Sequence, residues 1–435
     1  MPRAANSFVV KNFGCRAAQA DGAAIESLLE SQGRQAATLA DAELIVLNTC
    51  TVTATADDDV RYVIRRTHRD NPSAQILVTG CYAQRAPDEL AALPGVRWVV
   101  GNSHKTQIAE IVAEPEHYHS QIHIGDIAVQ HDFLSSPVED APDERTRPNL
   151  KIQDGCNNVC SFCIIPSVRG RSRSASADDV VAQVGALAPR YREVVLSGIN
   201  LGRWGRDVGK PQGRLVDLVR RLLNETPVER LRLSSVEPMD FSDDLLRLMA
   251  DSPRLARHVH APLQSASDTV LKRMKRRYRA RHYAARIEAA HALLPGAAIG
   301  ADVMVGFPGE TDGEFGETCR FIESLPFTYL HVFTYSERPG TPAEAMPGAV
   351  PLAVRYARNA ELRDLAERKN RQFRGRFVGQ RLSAVTLQSG LSALSGNFLK
   401  VELARPRESN RLIDVEIGAV TDSGLAEAHP LRILA

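Results

Sequence analysis

Seven cysteines among 435 residues carry the strongest chemical signal in this sequence: Cys15, Cys50, Cys81, Cys156, Cys160, Cys163 and Cys319. Their odd number and wide scatter argue against a secreted disulfide framework, which packs paired cysteines densely into a short chain. Cys156, Cys160 and Cys163 form C-x3-C-x2-C in the run DGCNNVCSFCIIP. A structural zinc site takes four ligands, usually as two separated pairs, yet no fourth cysteine adjoins this loop and no histidine lies between His131 and His258. Three thiolates on one short loop suit an iron–sulfur cluster instead, whose usual coordination is by four cysteines. One iron then has no protein ligand, and an open position of that kind admits a small molecule to the metal.

The elements that must position these thiols follow from periodicity. Over residues 1–135, short apolar runs (Phe8-Val9-Val10, Leu44 to Leu47, Ile76-Leu77-Val78) alternate with helical patterns near 23–31 and 57–69. That rhythm predicts a parallel α/β sheet with right-handed crossovers. Cys15, Cys50 and Cys81 each lie a few residues past the carboxyl end of a predicted strand, so the topology brings them to one sheet edge, where open α/β sheets bind ligands. The proline-rich, charged run PVEDAPDERTRPN, residues 137–149, reads as a linker.

Six further strands, at 150–152, 193–196, 231–233, 258–260, 299–305 and 329–333, interleave with helical patterns. Six βα units predict an open, partial parallel (β/α)6 barrel over 146–370, two units short of closure, with its chemistry at the carboxyl ends of the strands. After a charged helical stretch at 352–376, alternation at 382–387, 398–403, 412–417 and 431–434 predicts a small β-barrel over 376–435, a frequent carrier of RNA-binding surface.

Composition narrows the class. Fifty-four basic against 52 acidic residues give a net charge of +2, and 43% hydrophobic with 24% charged residues is ordinary for folded chains and excludes disorder throughout. The most apolar stretch, 289–307, is broken by His291, Pro295 and Asp302, well short of the ~18 uninterrupted apolar residues a membrane helix needs. No long apolar run follows the amino terminus, so a cytoplasmic protein without a membrane partner is expected.

C-x3-C-x2-C after the first strand of a partial barrel resembles the radical S-adenosylmethionine (SAM) superfamily. That resemblance implies that the methionyl amine and carboxylate of SAM chelate the open iron, and that reductive cleavage yields a 5′-deoxyadenosyl radical able to abstract hydrogen. The likeness extends along nearly the whole chain. NFGC (12–15), NTCTVT (48–53) and TGCYAQR (79–85) resemble the amino-terminal domain of the methylthiotransferases, and CNNVCSFCIIPSVRGRSRS (156–174), LSGINLG (196–202), SSVEP (234–238), APLQSASD (261–268) and DVMVGFPGET (302–311) resemble segments of their barrel.

The resemblance implies two [4Fe-4S] clusters, one held by Cys156, Cys160 and Cys163 and an auxiliary one held by Cys15, Cys50 and Cys81. The carboxyl-terminal block resembles the TRAM domain. Asn157-Asn158, the Arg-Gly-Arg-Ser-Arg-Ser run and GINLG look most like the branch that converts N6-threonylcarbamoyladenosine beside the tRNA anticodon to its 2-methylthio derivative. The neighbouring alternatives are isopentenyladenosine in tRNA and a ribosomal-protein aspartate. Two departures stand out: Ala18 where the family commonly has asparagine, and Ala266 where it has glycine.

Gly198 and Asn200 in the GIN loop, with Glu237, Gln264 and Asp302 at predicted strand ends, are candidate cofactor-binding residues at the barrel mouth. Basic residues cluster at 272–281, seven in ten, and Arg273, Arg276 and Arg277 are the candidate RNA contacts. The expected partners are a tRNA substrate and an electron donor such as flavodoxin or ferredoxin, acting on a monomer. Cys319, within a helical pattern, reads as core. A rival from another class is a non-enzymatic iron–sulfur protein that binds RNA through its terminal barrel.

Overall fold

The computed structural model describes residues 6–113, 119–130, 146–207 and 213–428. Ser7–Asn12, Leu44–Thr49 and Gln75–Gly80 form the three predicted strands, and Leu44–Thr49 is buried at every position, as a central parallel strand covered on both faces must be. The sheet is larger than the sequence reading. Its order is Gln35–Ala36, Ser7–Asn12, Leu44–Thr49, Gln75–Gly80, Val96–Gly101 and Gln121–His123, with every pairing parallel. Helices Arg16–Ser31 and Ala54–Asp70 make the first crossovers, and a short helix, Cys81–Arg85, starts directly at the end of the third predicted strand.

All six predicted barrel strands are present: Asn149–Asp154, Glu193–Gly198, Arg230–Leu233, His258–His260, Ala298–Val305 and Tyr329–Thr334. The first three pair in one parallel group and the last three in another, and an isolated parallel bridge joins Leu231 to Leu255 in the segment that leads into His258–His260. Alternation divides each strand between two environments. Ile299, Ala301, Val303 and Val305 join the main core beneath the outer helices, which leaves Gly300, Asp302 and Met304 to face the lumen.

Helix Leu352–Gly375 leads to a closed barrel of five strands in the order Arg381–Thr386, Ser392–Ser395, Lys400–Glu402, Leu425–Glu427 and Leu412–Val420. Ser392–Ser395 and Leu425–Glu427 add to the predicted set, whereas the predicted strand at 431–434 and most of the linker at 137–149 lie outside the described residues. Arg232, on the third barrel strand, pins this domain: its guanidinium donates to the carbonyls of Ser395 (2.9 Å) and Gly396 (3.2 Å) while Glu193 accepts from it at 2.7 and 3.0 Å. Among the described residues, no helix is long and apolar enough to cross a membrane.

Candidate active site

Cys15, Cys50 and Cys81 do converge on one sheet edge. Cys15 is the N-cap of helix Arg16–Ser31, Cys50 follows Leu44–Thr49, and Cys81 opens the helix after Gln75–Gly80. Two glycines make the convergence possible. Gly14, with φ of +102°, lies so close that a Cβ there would meet the Cys50 Cβ at 2.6 Å, and at Gly80, φ +101°, a Cβ would meet the Thr49 carbonyl oxygen at 2.4 Å. Burial pushes the Cys50 thiol up to about 12, and Cys81 and Cys15 push it the same way because their charges face it. Cys81 Sγ accepts hydrogen bonds from Arg169 Nε at 3.3 Å and Asn102 Nδ2 at 3.7 Å.

The second trio sits on the loop after the first barrel strand. Cys156 Sγ accepts from the Asn158 backbone N–H (3.4 Å) and Asn200 Nδ2 (3.5 Å), and Cys160 Sγ accepts from Arg276 Nη1 (3.4 Å). Burial raises the Cys163 thiol to about 12 and raises Cys156 as well. A single tetrahedral zinc ion would hold its sulfurs roughly 3.8 Å apart. Among the described residues, the only three potential ligand atoms within 4.8 Å of one another belong to His260, Asp302 and His331, so neither cysteine trio is closed around one ion. Wider-set sulfurs that receive N–H donors and a guanidinium fit the larger, anionic frame of an iron–sulfur cluster.

Between the trios lies a buried charge network that the sequence reading did not find. Asp21 accepts from Lys105 Nζ (2.8 Å), Arg169 Nη2 (3.0 Å) and Lys151 Nζ, while Asp154 accepts from Lys151 (2.8 Å) and from Arg169 Nη1 at 2.9 and 3.0 Å. Arg173 stands 4.0 Å from Asp154 as well, so four cations face two carboxylates there, and the surplus positive charge lies beside Cys81 through Arg169, which is 1% exposed. Lys151 sits on the first barrel strand and alternates with Leu150 and Ile152. A lysine in that register is the one sequence signal of an inward-facing charge.

The candidate cofactor residues lie around the barrel mouth. A Cβ at Gly198 would come 2.9 Å from the Gln153 Cβ, and Gln153 Oε1 accepts from the Asn200 N–H at 2.6 Å. Asn200 Oδ1 is buried with no partner, a free acceptor beside the Cys156 thiol. Glu237 is ion-paired with Arg276 at 2.5 Å. Gln264 adopts φ of +64°, a conformation that costs energy outside glycine, held by its N–H to the Asp302 carbonyl (2.8 Å) and by Met304 N–H to its own carbonyl (2.8 Å). Gln264 and Asp302 line a cavity of about 250 Å³ together with Cys163, Phe162 and, from the Cys50 loop, Val52 and Thr53. The cavity thus touches both trios' loops. Asn157, Asn158, Asn200 and Arg277 line a second cavity of about 220 Å³.

Of the three arginines expected on an RNA surface, Arg277 alone is exposed. Arg276 is 5% exposed and turned inward to Glu237 and Cys160, and Arg273 is clamped by both oxygens of Glu314 at 3.0 Å. The turn at Lys275, φ +54°, reverses the chain after helix Asp268–Arg273 and sends neighbouring basic residues to opposite sides. Ala266 does not need left-handed backbone, so glycine is not required there. Ala18 is buried, and its carbonyl accepts from Asn48 Nδ2 at 2.6 Å. Cys319, expected in the core, is only half-buried: it packs against the edge of the main core and its thiol faces Glu361 Oε1 at 3.8 Å.

His260, Asp302 and His331 belong to a hydrogen-bonded chain. His258 Nδ1 is buried without a partner, and a bare nitrogen there costs less than a stranded N–H. On that assignment His258 Nε2 donates to the Tyr329 hydroxyl oxygen (2.7 Å), the Tyr329 hydroxyl donates to His260 Nδ1 (2.8 Å), and His260 Nε2 donates to Asp302 Oδ1 (3.1 Å). His331 Nδ1 donates to the same oxygen at 3.1 Å. Burial pushes the Asp302 carboxyl up, but these imidazole donors outweigh it and hold the group well below the usual carboxylate range. His260 has both ring nitrogens engaged, so hydrogen bonds account for the way this cluster is held together.

Residues 150–322 match the Radical SAM superfamily, and residues 7–101 match a family described as Uncharacterized protein family UPF0004. The fold is similar to that of the radical S-adenosylmethionine methyltransferase TsrM from Kitasatospora setae, with a TM-score of 0.57 at 15% identity over 78% of this chain and 73% of that one. The barrel with its three-cysteine loop defines a radical SAM protein.

Relatives that cover most of the chain narrow the class. Threonylcarbamoyladenosine tRNA methylthiotransferase MtaB of Bacillus subtilis is 38% identical over 86% of this chain and 83% of its own. The MtaB of Aquifex aeolicus is 34% identical over 94% and 99%. A tRNA-2-methylthio-N(6)-dimethylallyladenosine synthase of Parafrankia is 35% identical over 99% and 89%. The chain belongs to the radical SAM tRNA methylthiotransferase family.

Proposed function

We propose that this protein replaces the hydrogen on C2 of N6-threonylcarbamoyladenosine, next to the tRNA anticodon, with a methylthio group, using SAM both as methyl donor and as radical source. The observation that carries this reading is one cavity of about 250 Å³ whose wall joins the Cys50 loop of one trio to Cys163 of the other. The C2–H bond is not acidic, so a positioned side-chain acid or base could not readily activate it. Cys156, Cys160 and Cys163 would hold a [4Fe-4S] cluster that would, with SAM, supply that activation, and Cys15, Cys50 and Cys81 would hold a second cluster that would supply the sulfur.

The polypeptide's own task is orientation and exclusion of water. Asn158, Asn200 and Arg276 fix the thiolates of the barrel trio, Asn102 and Arg169 fix Cys81, and Phe162, Ile164, Ile165 and Met304 make the cavity wall apolar. Asn200, Glu237, Gln264 and Asp302 line neighbouring cavities, and with Gly198 at the end of strand Glu193–Gly198 they are the proposed contacts for SAM. Electrons come from a small reduced carrier such as flavodoxin or ferredoxin, and the protein acts as a monomer.

Nucleoside mass spectrometry of bulk tRNA from a deletion strain tests the reading. The 2-methylthio-threonylcarbamoyl nucleoside should disappear and return on complementation. If it persists while the 2-methylthio-isopentenyl nucleoside disappears, the Parafrankia-like alternative holds instead.

A further inference from the structure

A cleft of about 580 Å³ lies where the large barrel meets the terminal one. One wall belongs to the segments that lead into three strands of the large barrel: Arg230 begins Arg230–Leu233, Arg257 directly precedes His258–His260, and Gly296 stands two residues before Ala298–Val305. The other wall starts at Arg376 and Phe377, just past helix Leu352–Gly375, and continues into the terminal barrel at Leu382 and Ser383. These are amino-terminal strand ends, so the cleft lies at the opposite end of the barrel from the cysteine loops and the mouth. Hydrogen bonds between the two domains frame it. Arg230 Nη2 donates to Ser383 Oγ at 2.9 Å, Arg232 Nη1 to the Gly396 carbonyl at 3.2 Å and Asn397 Nδ2 to the Gly296 carbonyl at 3.1 Å.

Arg230, Arg257 and Arg376 line this cleft, and no Asp or Glu does. Arg257 and Arg376 are exposed, whereas Arg230 is 5% exposed. Its Nη1 is buried and makes no hydrogen bond. The Glu193 carboxylate stands 3.8 Å from that nitrogen, but it already accepts from Arg232 at 2.7 and 3.0 Å and from Arg147 at 3.2 Å. One carboxylate therefore faces three guanidiniums. Asp414 and Glu229 act on Arg230 from outside the cleft wall, and Glu229 is itself paired with Arg192. A desolvated cation with a donor to spare is costly, and an oxyanion would supply the missing acceptor.

Guanidinium forks match phosphate geometry, and their charge cannot be lost. Leu255, Phe377 and Leu382 give the same cleft an apolar side, and its volume falls within the ~300–1,000 Å³ of small-molecule sites. An RNA strand laid over the surface would meet Arg257 and Arg376 at the rim, whereas Arg230 is met only by a group that enters. We propose that the cleft is a second ligand site, apart from the reacting centre, for a phosphorylated small molecule of nucleotide size. Its phosphoryl oxygens pair with the three arginines, and its apolar part lies against Leu255, Phe377 and Leu382. Because the walls come from two domains, an occupied cleft fastens the terminal barrel to the large one.

The test titrates full-length, cluster-loaded protein with ADP by calorimetry, without reductant and with SAM at saturation so that its own site is filled. One ADP should bind per protein and raise the melting temperature, and adenosine, which lacks the phosphates, should bind at least roughly 10-fold more weakly. Exchanging both exposed arginines, Arg257→Gln with Arg376→Gln, should weaken ADP by roughly 10-fold or more while the melting temperature without ADP stays at the wild-type value. Arg230→Gln should cause a similar loss, with its own melting temperature reporting any cost to folding. Equal ADP affinity in wild type and the double variant overturns the proposal, as does the absence of binding by both ADP and pyrophosphate. Competitive displacement of ADP by tRNA overturns it too, because the cleft would then belong to the RNA surface.

Discussion

Arg276 shows how far one side chain can depart from what its neighbours in sequence suggest. It lies in a stretch of basic residues, yet its guanidinium bridges Glu237 at 2.5 Å and the Cys160 sulfur at 3.4 Å. Removing it with Arg276→Met leaves the half-buried Glu237 carboxylate and the Cys160 sulfur without the cation they share. The barrel cluster should then show a more negative midpoint potential by anaerobic redox titration, and cluster affinity should fall by roughly 10- to 100-fold, the usual cost of losing an outer-shell partner. A potential unchanged from wild type would refute the contact. At this scale the sequence was half legible. The six cysteines were readable because thiol spacing is itself chemistry, but Arg169 and Asp21 owe their pairing to a partner more than a hundred residues away, which no local pattern encodes.

Among the elements, the docking of the terminal barrel rests on Glu193 at the start of the second barrel strand. Burial pushes its carboxyl up, but Arg232, Arg147 and Arg230 outweigh that and hold it at about 2, against the usual 4.5. A depressed carboxylate contributes stability that is complete above pH 4.5 and is lost as the pH falls toward 2. Thermal stability should therefore decline across that window. Glu193→Gln should weaken the decline while costing roughly 3–5 kcal/mol near neutrality, because Arg232, 0% exposed, is left buried without its charge partner. A variant with the wild-type acid profile would show that Glu193 is not the group responsible. The strands flanking this contact were legible where they were long and β-branched, as in Glu193–Gly198. Ser392–Ser395 and Leu425–Glu427 were not, because each is short and is set directly among glycine and serine residues, whose turn composition masks the alternation.

The molecule as a whole holds its two thiol sites in register through a second clamp. Asp57, on the helix after Cys50, accepts from Arg338 at 2.7 Å, from Arg85 at 3.0 Å and from the Thr51 hydroxyl at 2.6 Å, and Ala54 N–H donates to Ser336 Oγ at 3.0 Å. Arg338→Leu should loosen that register without touching a cluster ligand. SAM cleavage would then run uncoupled, with more 5′-deoxyadenosine formed per methylthio product, and an unchanged ratio would remove Arg338 from this role. The outward face carries the RNA prediction. Lys272, Lys275, Arg277 and Arg279 are exposed, so replacing Lys275, Arg277 and Arg279 with Gln should weaken tRNA binding and reduce the salt dependence by up to about one logarithmic unit per lost phosphate contact.

Asp21 has a consequence for how such a chain can change over generations. Its carboxylate collects one cation from its own sheet, Lys105, and two from the barrel, Lys151 and Arg169. A hybrid that joins the sheet of one relative to the barrel of another inherits unbalanced interior charges unless both donors carry the same set. The two halves can therefore be exchanged only as a matched pair, and a single substitution within that set should be tolerated only with a compensating one across the boundary.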